Sequence, residues 1–161
     1  MAHEDLIARY LAGPASLREA VAGMTDDQLN ARPVPEKWST RQVVCHIADF
    51  EPVYIDRIKR VLAEDQPPLR GGDPDLFAAH LAYDRRDVRQ ELNFIEAARR
   101  HMGPILRSLS PEQFARTGIH SESGPLSLLA LLESVTDHIP HHIDFIEEKR
   151  RALGLTSSAA P

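Results

Sequence analysis

Leu128-Leu-Ala-Leu131-Leu-Glu-Ser-Val135-Thr-Asp-His138-Ile-Pro140-His-His142-Ile-Asp-Phe145 is the stretch that decides the fold. Leu128, Leu131, Val135, His138, His142 and Phe145 recur at alternating spacings of three and four, the trace of one helix face against a packed neighbour. His138 and His142 stand on that stripe where leucines are expected, one turn apart. Neutral imidazoles at i and i+4 can both reach one metal ion. They can equally hydrogen-bond across a bundle, because a buried ring needs some polar partner. His46 lies in a second amphipathic stretch that begins at Trp38, so three histidines from two helices would leave a metal coordination position open. His141 sits about 100° round the helix from His142 and off the stripe. His3, His80, His101 and His120 have no partner at ligand spacing and read as surface or loop residues.

The rest of the chain also reads as helical. Ile7, Leu11, Leu17, Val21 and Met24 mark a first helix, bent or broken at Gly13-Pro14. Thr25 to Gln28, Ser39 to Gln42 and Ser110 to Gln113 each have the pattern of a capping box. The second opens a long helix running to about Ala63, with Trp38 as the hydrophobic staple at its entry or at a pocket mouth. Glu64 to Asp75, with three prolines and two glycines, reads as a loop. Asp73-Pro74 can cap and start a further helix. From Val88 the stripe is Val88, Leu92, Ile95, Arg99, Met102, Leu106, Leu109. Arg99 interrupts it, and the simpler reading is that Ala98 packs while Arg99 reaches out to water. Arg116 to Ser123 reads as a polar loop, and Gly124-Pro125 as the opening of the last helix, which ends near Gly154. Met24 to Leu29 resembles Leu109 to Phe114, and each precedes a long helix carrying His46 or the His138/His142 pair. This weak repeat implies an all-α, four-helix bundle with a pseudo-twofold axis, which builds metal sites from inward-facing side chains.

Glu51 lies in the apolar arc of its helix, about 140° from His46. That leaves it two roles, pairing Arg99 or orienting a histidine from behind. Asp49 and Asp137 read as solvent-facing.

A chain of 161 residues suits one domain over residues 1–155, with a disordered tail at 156–161. Net charge of −5 and the lack of a Lys/Arg run argue against a nucleic-acid or anionic-membrane partner. No apolar run approaches the ~20 residues of a membrane span. One cysteine, Cys45, excludes an intrachain disulfide and reads as a small apolar residue in a reducing compartment. The acidic N-terminus has no signal-peptide core, so a cytoplasmic location is expected.

Lys37-Trp-Ser-Thr-Arg-Gln-Val-Val-Cys-His46-Ile-Ala-Asp49-Phe-Glu51 resembles the K-W-S-x-x-x-V-x-x-H-hydrophobic-A-D-x-E signature of the DinB-like (DinB/YfiT-like) superfamily of metalloenzymes. His120-x-Glu122-x-Gly124 matches a loop of one branch, and His138-x-x-x-His142 its His-x-x-x-His helix. The resemblance spans about residues 15 to 153. It implies a four-helix bundle, often a homodimer, in which His46, His138 and His142 bind a divalent metal ion such as zinc or nickel. It also implies a small-molecule substrate and either hydrolysis or transfer to a low-molecular-weight thiol, with Glu51 as the candidate base or orienter. A shared fold does not transfer a reaction, so a non-catalytic metal- or ligand-binding bundle and a dimerising domain with a decayed site compete with the enzyme. Pro140 is the departure from the family pattern. It removes the backbone hydrogen bond to Thr136 and sets a kink where the ligands must converge.

Overall fold

The computed structural model describes residues 3–156. The segment 157–161, most of the expected tail, lies outside the described residues. Four long helices form the molecule: α1 (Glu4–Ala20), α3 (Thr40–Ala63), α5 (Val88–Arg107) and α6 (Leu128–Ala152). The minor elements are α2 (Asp26–Asn30), α4 (Pro74–His80), a 3-10 turn at Pro111–Ala115, and the strands β1 (Pro68–Leu69), β2 (Thr117–His120) and β3 (Gly124–Ser127). Each long helix packs on two others, α1 on α5 and α6, and α3 on α5 and α6, which closes a four-membered ring. The order α1-α2-α3 is repeated as α5, 3-10 turn, α6.

The helix starts follow local chemistry. At Thr25 and Ser39 the side-chain oxygen accepts from the backbone N–H of Gln28 and Gln42, and each glutamine accepts in return from the cap residue's own N–H. Asp73 and Asp87 each accept from two backbone N–H groups in the first turns of α4 and α5. Four stretches differ from expectation, and in the first of them the expected loop Glu64 to Asp75 contains the short strand β1. Helix α1 runs unbroken through Gly13-Pro14. The stretch expected as a polar loop contains β2, and Gly124-Pro125 belongs to β3, so that Ser127 caps α6 by accepting from Ala130 N. The strands form one small sheet in the order β1-β2-β3, β1 parallel and β3 antiparallel to β2. Pro125 is tolerated because β3 is an edge strand and lacks only an outward N–H.

Every long helix contributes to two apolar clusters with a polar step between them. One cluster takes Tyr10, Ile58, Met102 and Leu132, the other Leu17, Ile47, Leu92 and Ile139. Between these positions along the chain stand Gly13 on α1, Glu51 on α3, Arg99 on α5 and His138 on α6. Arg99 does not reach out to water. It is fully buried, with Nε and Nη2 donating to Glu51 Oε1 at 2.8 and 2.5 Å, Nη1 to the Tyr10 carbonyl at 2.8 Å and Nη2 also to the Val135 carbonyl at 2.7 Å. One guanidinium thus ties all four long helices together.

Its seat on α1 explains Gly13-Pro14. Proline at 14 has no N–H to give the carbonyl of residue 10, so that carbonyl is free to accept from Arg99. A Cβ on Gly13 would lie 2.5 Å from Arg99 Nη1. The dipeptide read as a helix breaker is the docking place of the buried arginine.

Candidate metal centre

His46 is set by α3, His138 and His142 by α6, and the three rings meet where these helices pack. Ring centroids lie 4.9, 4.7 and 4.6 Å apart for the pairs 46–138, 46–142 and 138–142. His138 Nε2 is 3.0 Å from His46 Nε2 and 3.1 Å from His142 Nε2, and one ligand atom of each ring lies within 4.8 Å of the others. Pro140 does not prevent this, since α6 is continuous across it with the proline on the exposed face.

Hydrogen bonding alone does not satisfy such a cluster. A neutral imidazole nitrogen is a donor or an acceptor, not both, so His138 Nε2 cannot give to one neighbour while taking from the other. One cation answers all three lone pairs at once. Ligand nitrogens at ~2.0–2.1 Å from a tetrahedral ion stand roughly 3.3 Å apart, close to the separations found here. The donor set therefore fits a divalent metal of borderline softness, zinc or nickel.

Electrostatics favour the same state. Burial lowers the pKa of His46 to about 4, against a small opposing pull from Asp49. Burial, then the neighbouring imidazoles and Arg99, lowers His138 to about 2, and burial with its neighbours lowers His142 to about 3. All three are neutral at pH 7, the form that binds metal. If Nε2 faces the ion, Nδ1 carries the proton, and each Nδ1 is buried with no protein acceptor among the described residues. Aromatic packing holds the ring planes instead. Trp38 and Phe50 lie 5.2 and 4.6 Å from His46, and Tyr54 lies 6.0 Å from His138, centroid to centroid.

The other expected residues fall as follows. Glu51 is brought to Arg99 and not to a histidine nitrogen. Its carboxyl is pushed above the usual carboxylate range by burial, with Arg99 opposing. Asp49 is not simply solvent-facing, because it holds Arg86 through two bonds of 2.9 Å. Asp137 is exposed and pairs Arg9. Cys45 is buried and its thiol is raised to about 12 by burial, as suits a small apolar residue. His120 corrects the surface reading. It is a buried member of β2 whose Nδ1 accepts from Glu122 N and Ser123 N.

Two cavities lie near the cluster, one reaching it only through Phe50 and Tyr54, whose rings pack against His138, and one lined by His142 itself, and the sequence reading found neither. One of about 370 Å³ is lined by Phe50, Tyr54, Arg57, His120 and Ser134 among others. The second, about 240 Å³, is lined by Trp38, Val43, His142, Phe145 and Lys149, with Lys37, Glu36 and Asp75 at its mouth. Larger grooves elsewhere include none of the three histidines, and the buried arginine of one of them, Arg41, is committed to Asp26, Asn30 and the Arg86 carbonyl.

The molecule is similar to proteins already known. YfiT of Bacillus subtilis is 31% identical over 142 residues, covering 88% of this chain and 80% of its own. Its solved structure, described as a probable metal-dependent hydrolase with an unusual four-helix bundle topology, superposes with a TM-score of 0.89 over 95% of this chain and 88% of that one. A protein of Oceanobacillus iheyensis, also provisionally named a metal-dependent hydrolase, is 29% identical over 133 residues, covering 83% of this chain and 77% of its own. A mycothiol-dependent maleylpyruvate isomerase shares the fold, with a TM-score of 0.64 at 9% identity, covering 99% of this chain and 63% of that one. The DinB superfamily model matches residues 9–146, and with the bundle and the histidine cluster described above, this chain belongs to the DinB superfamily.

Proposed function

We propose that the chain is a metal-dependent hydrolase whose zinc or nickel ion is held by His46, His138 and His142. The observation that carries this is the convergence of three Nε2 atoms that cannot satisfy one another. The names of the relatives, YfiT foremost, agree with it. When bound, the cation supplies Lewis acidity, polarising a carbonyl oxygen and lowering the pKa of water.

The protein's own groups do the rest. The three imidazoles stay neutral and present lone pairs without first losing a proton. Trp38, Phe50 and Tyr54 wall the rings and limit the water around them. Glu51 acts as a positioning residue through Arg99, which grips the Val135 carbonyl one turn before His138.

The test is metal analysis of untagged protein beside His138→Ala/His142→Ala, followed by a panel of esters and amides. Near-stoichiometric metal in the wild type, lost in the variant, together with metal-dependent hydrolysis is the expected result. A flat panel at full metal occupancy would overturn the reaction and leave a metal-binding bundle. Turnover only on addition of a low-molecular-weight thiol would replace hydrolysis by S-transfer.

A further inference from the structure

The cavity beside His142 contains a charge that the hydrolase reading does not use. Lys149 is 2% exposed, yet among the described residues no carboxylate closes an ion pair with it. Its Nζ has one hydrogen bond, 3.1 Å to the Phe145 carbonyl, and lies 5.9 Å from the Phe145 ring centroid. Lys37 approaches the same ring, with Nζ 5.6 Å from the centroid. A buried ammonium with one carbonyl and one ring face is short of partners, since it has three N–H donors and desolvation is costly unless a charge or several acceptors compensate it. Burial lowers its pKa, with Glu148 opposing and Lys37 reinforcing. The two carboxylates at the mouth, Glu36 and Asp75, do not answer it: both are exposed, and neither is among the groups that perturb it.

We propose that this cavity is the subsite for a substrate carboxylate, which Lys149 binds from within and Lys37 from the mouth. Trp38, Val43 and Phe145 form the apolar walls, so the anionic group is carried on a small hydrophobic body. Position sets its length. Lys149 lies two turns beyond His142, and its side chain folds back one turn to the level of Phe145. The anion site is therefore displaced by about one helical turn, ~5 Å along the axis, from the histidine cluster. This deepens the hydrolase reading, on which it rests for the reaction and not for the binding. The substrate class is a small carboxylic acid whose hydrolysable ester or amide lies a few bonds from the carboxylate.

The chain supplies its own reporter, because Trp38, the single tryptophan, lines the cavity. Phenylacetate and its neutral counterpart phenylacetamide would be titrated into full-length protein while tryptophan fluorescence is followed. Both metal-loaded and chelator-stripped protein are used, so that a carboxylate held by the cation itself cannot produce the signal. The expected result is a saturable response to phenylacetate in both forms, at least tenfold weaker for phenylacetamide, and at least tenfold weaker for phenylacetate in Lys149→Met. Lys149→Gln, a smaller polar change, should weaken it in the same direction, and a melting curve on each variant shows that it is folded. Equal response to acid and amide, an unchanged affinity in both folded variants, or a response confined to metal-loaded protein would overturn the subsite. The two readings fail separately. Binding that survives while the metal-loaded protein hydrolyses nothing defeats the reaction alone, and hydrolysis without anion selectivity defeats the subsite alone.

Discussion

Three imidazoles facing one point resist protonation, and that resistance becomes a pH dependence of folding in the metal-free protein. In the unfolded chain each histidine titrates near its ordinary value, ~6.5. In the folded chain His46 titrates at about 4, with His138 and His142 lower still. Between these limits the unfolded state holds more protons, so stability rises with pH across the window and falls on acidification. Going from pH 7.5 to 5 should remove roughly 2 kcal/mol through His46 alone, by the ~1.4 kcal/mol attached to each pH unit of the window. His138 and His142 add in the same direction. Urea denaturation of chelator-treated protein at the two pH values measures it, with His46→Ala as the comparison. A wild type no more acid-sensitive than His46→Ala would mean that the rings move apart and hydrate when no cation is bound. The histidines were legible in the sequence because i, i+4 on a stripe is a local pattern. Lys149 was legible too, since it continues the same alternation of three and four past Phe145. It was missed because a lysine near a helix C-terminus is ordinarily a solvated residue that favours the helix dipole.

Arg99 shows how an element can be read correctly while one of its residues is not. The helix Val88–Arg107 follows from its stripe and its Asp87 cap, but whether Arg99 turns in or out depends on Glu51, 48 positions away and on another helix. Nothing local records that pairing. The same holds for His120, which is buried because Leu69 and His120 are paired across β1 and β2, strands of two and four residues that are too short to show alternation. Gly13-Pro14 is the converse case, in which the local signal was real and its meaning was tertiary. Gly13→Ala tests that meaning. At an ordinary helix position the change stabilises by up to ~1 kcal/mol, because glycine is the poorer helix former. Here the new methyl group would displace a buried guanidinium, which threatens its bond to the Tyr10 carbonyl and its pairing with Glu51. Leaving a buried polar group unpaired costs ~1–3 kcal/mol and more when it is charged, so the net effect should be destabilising by about 2 kcal/mol. A chemical denaturation midpoint that stays or rises would show that Arg99 can reseat without loss.

The whole molecule makes the histidine cluster a clasp between its two repeated halves, since His46 comes from the first and His138 and His142 from the second, 92 positions along the chain. Arg99 already binds the four helices at their polar layer, so the bundle does not require a cation to assemble, and metal should stabilise a fold that exists without it. A ligand that binds only the folded state adds ~4 kcal/mol at a thousandfold excess over its Kd. For a domain of this length each kcal/mol moves the melting temperature by about 2–4 °C, so saturating zinc should raise it by roughly 10 °C and a chelator should reverse the gain. His46→Ala removes one ligand from the opposite helix and should abolish most of the shift. His141→Ala should leave it intact, because His141 is exposed and off the cluster although it neighbours a ligand in sequence. An equal shift in wild type and His46→Ala would place the ion elsewhere on the molecule. A shift lost in His141→Ala but kept in His46→Ala would mean that the exposed face of α6, not the junction of α3 and α6, takes the metal.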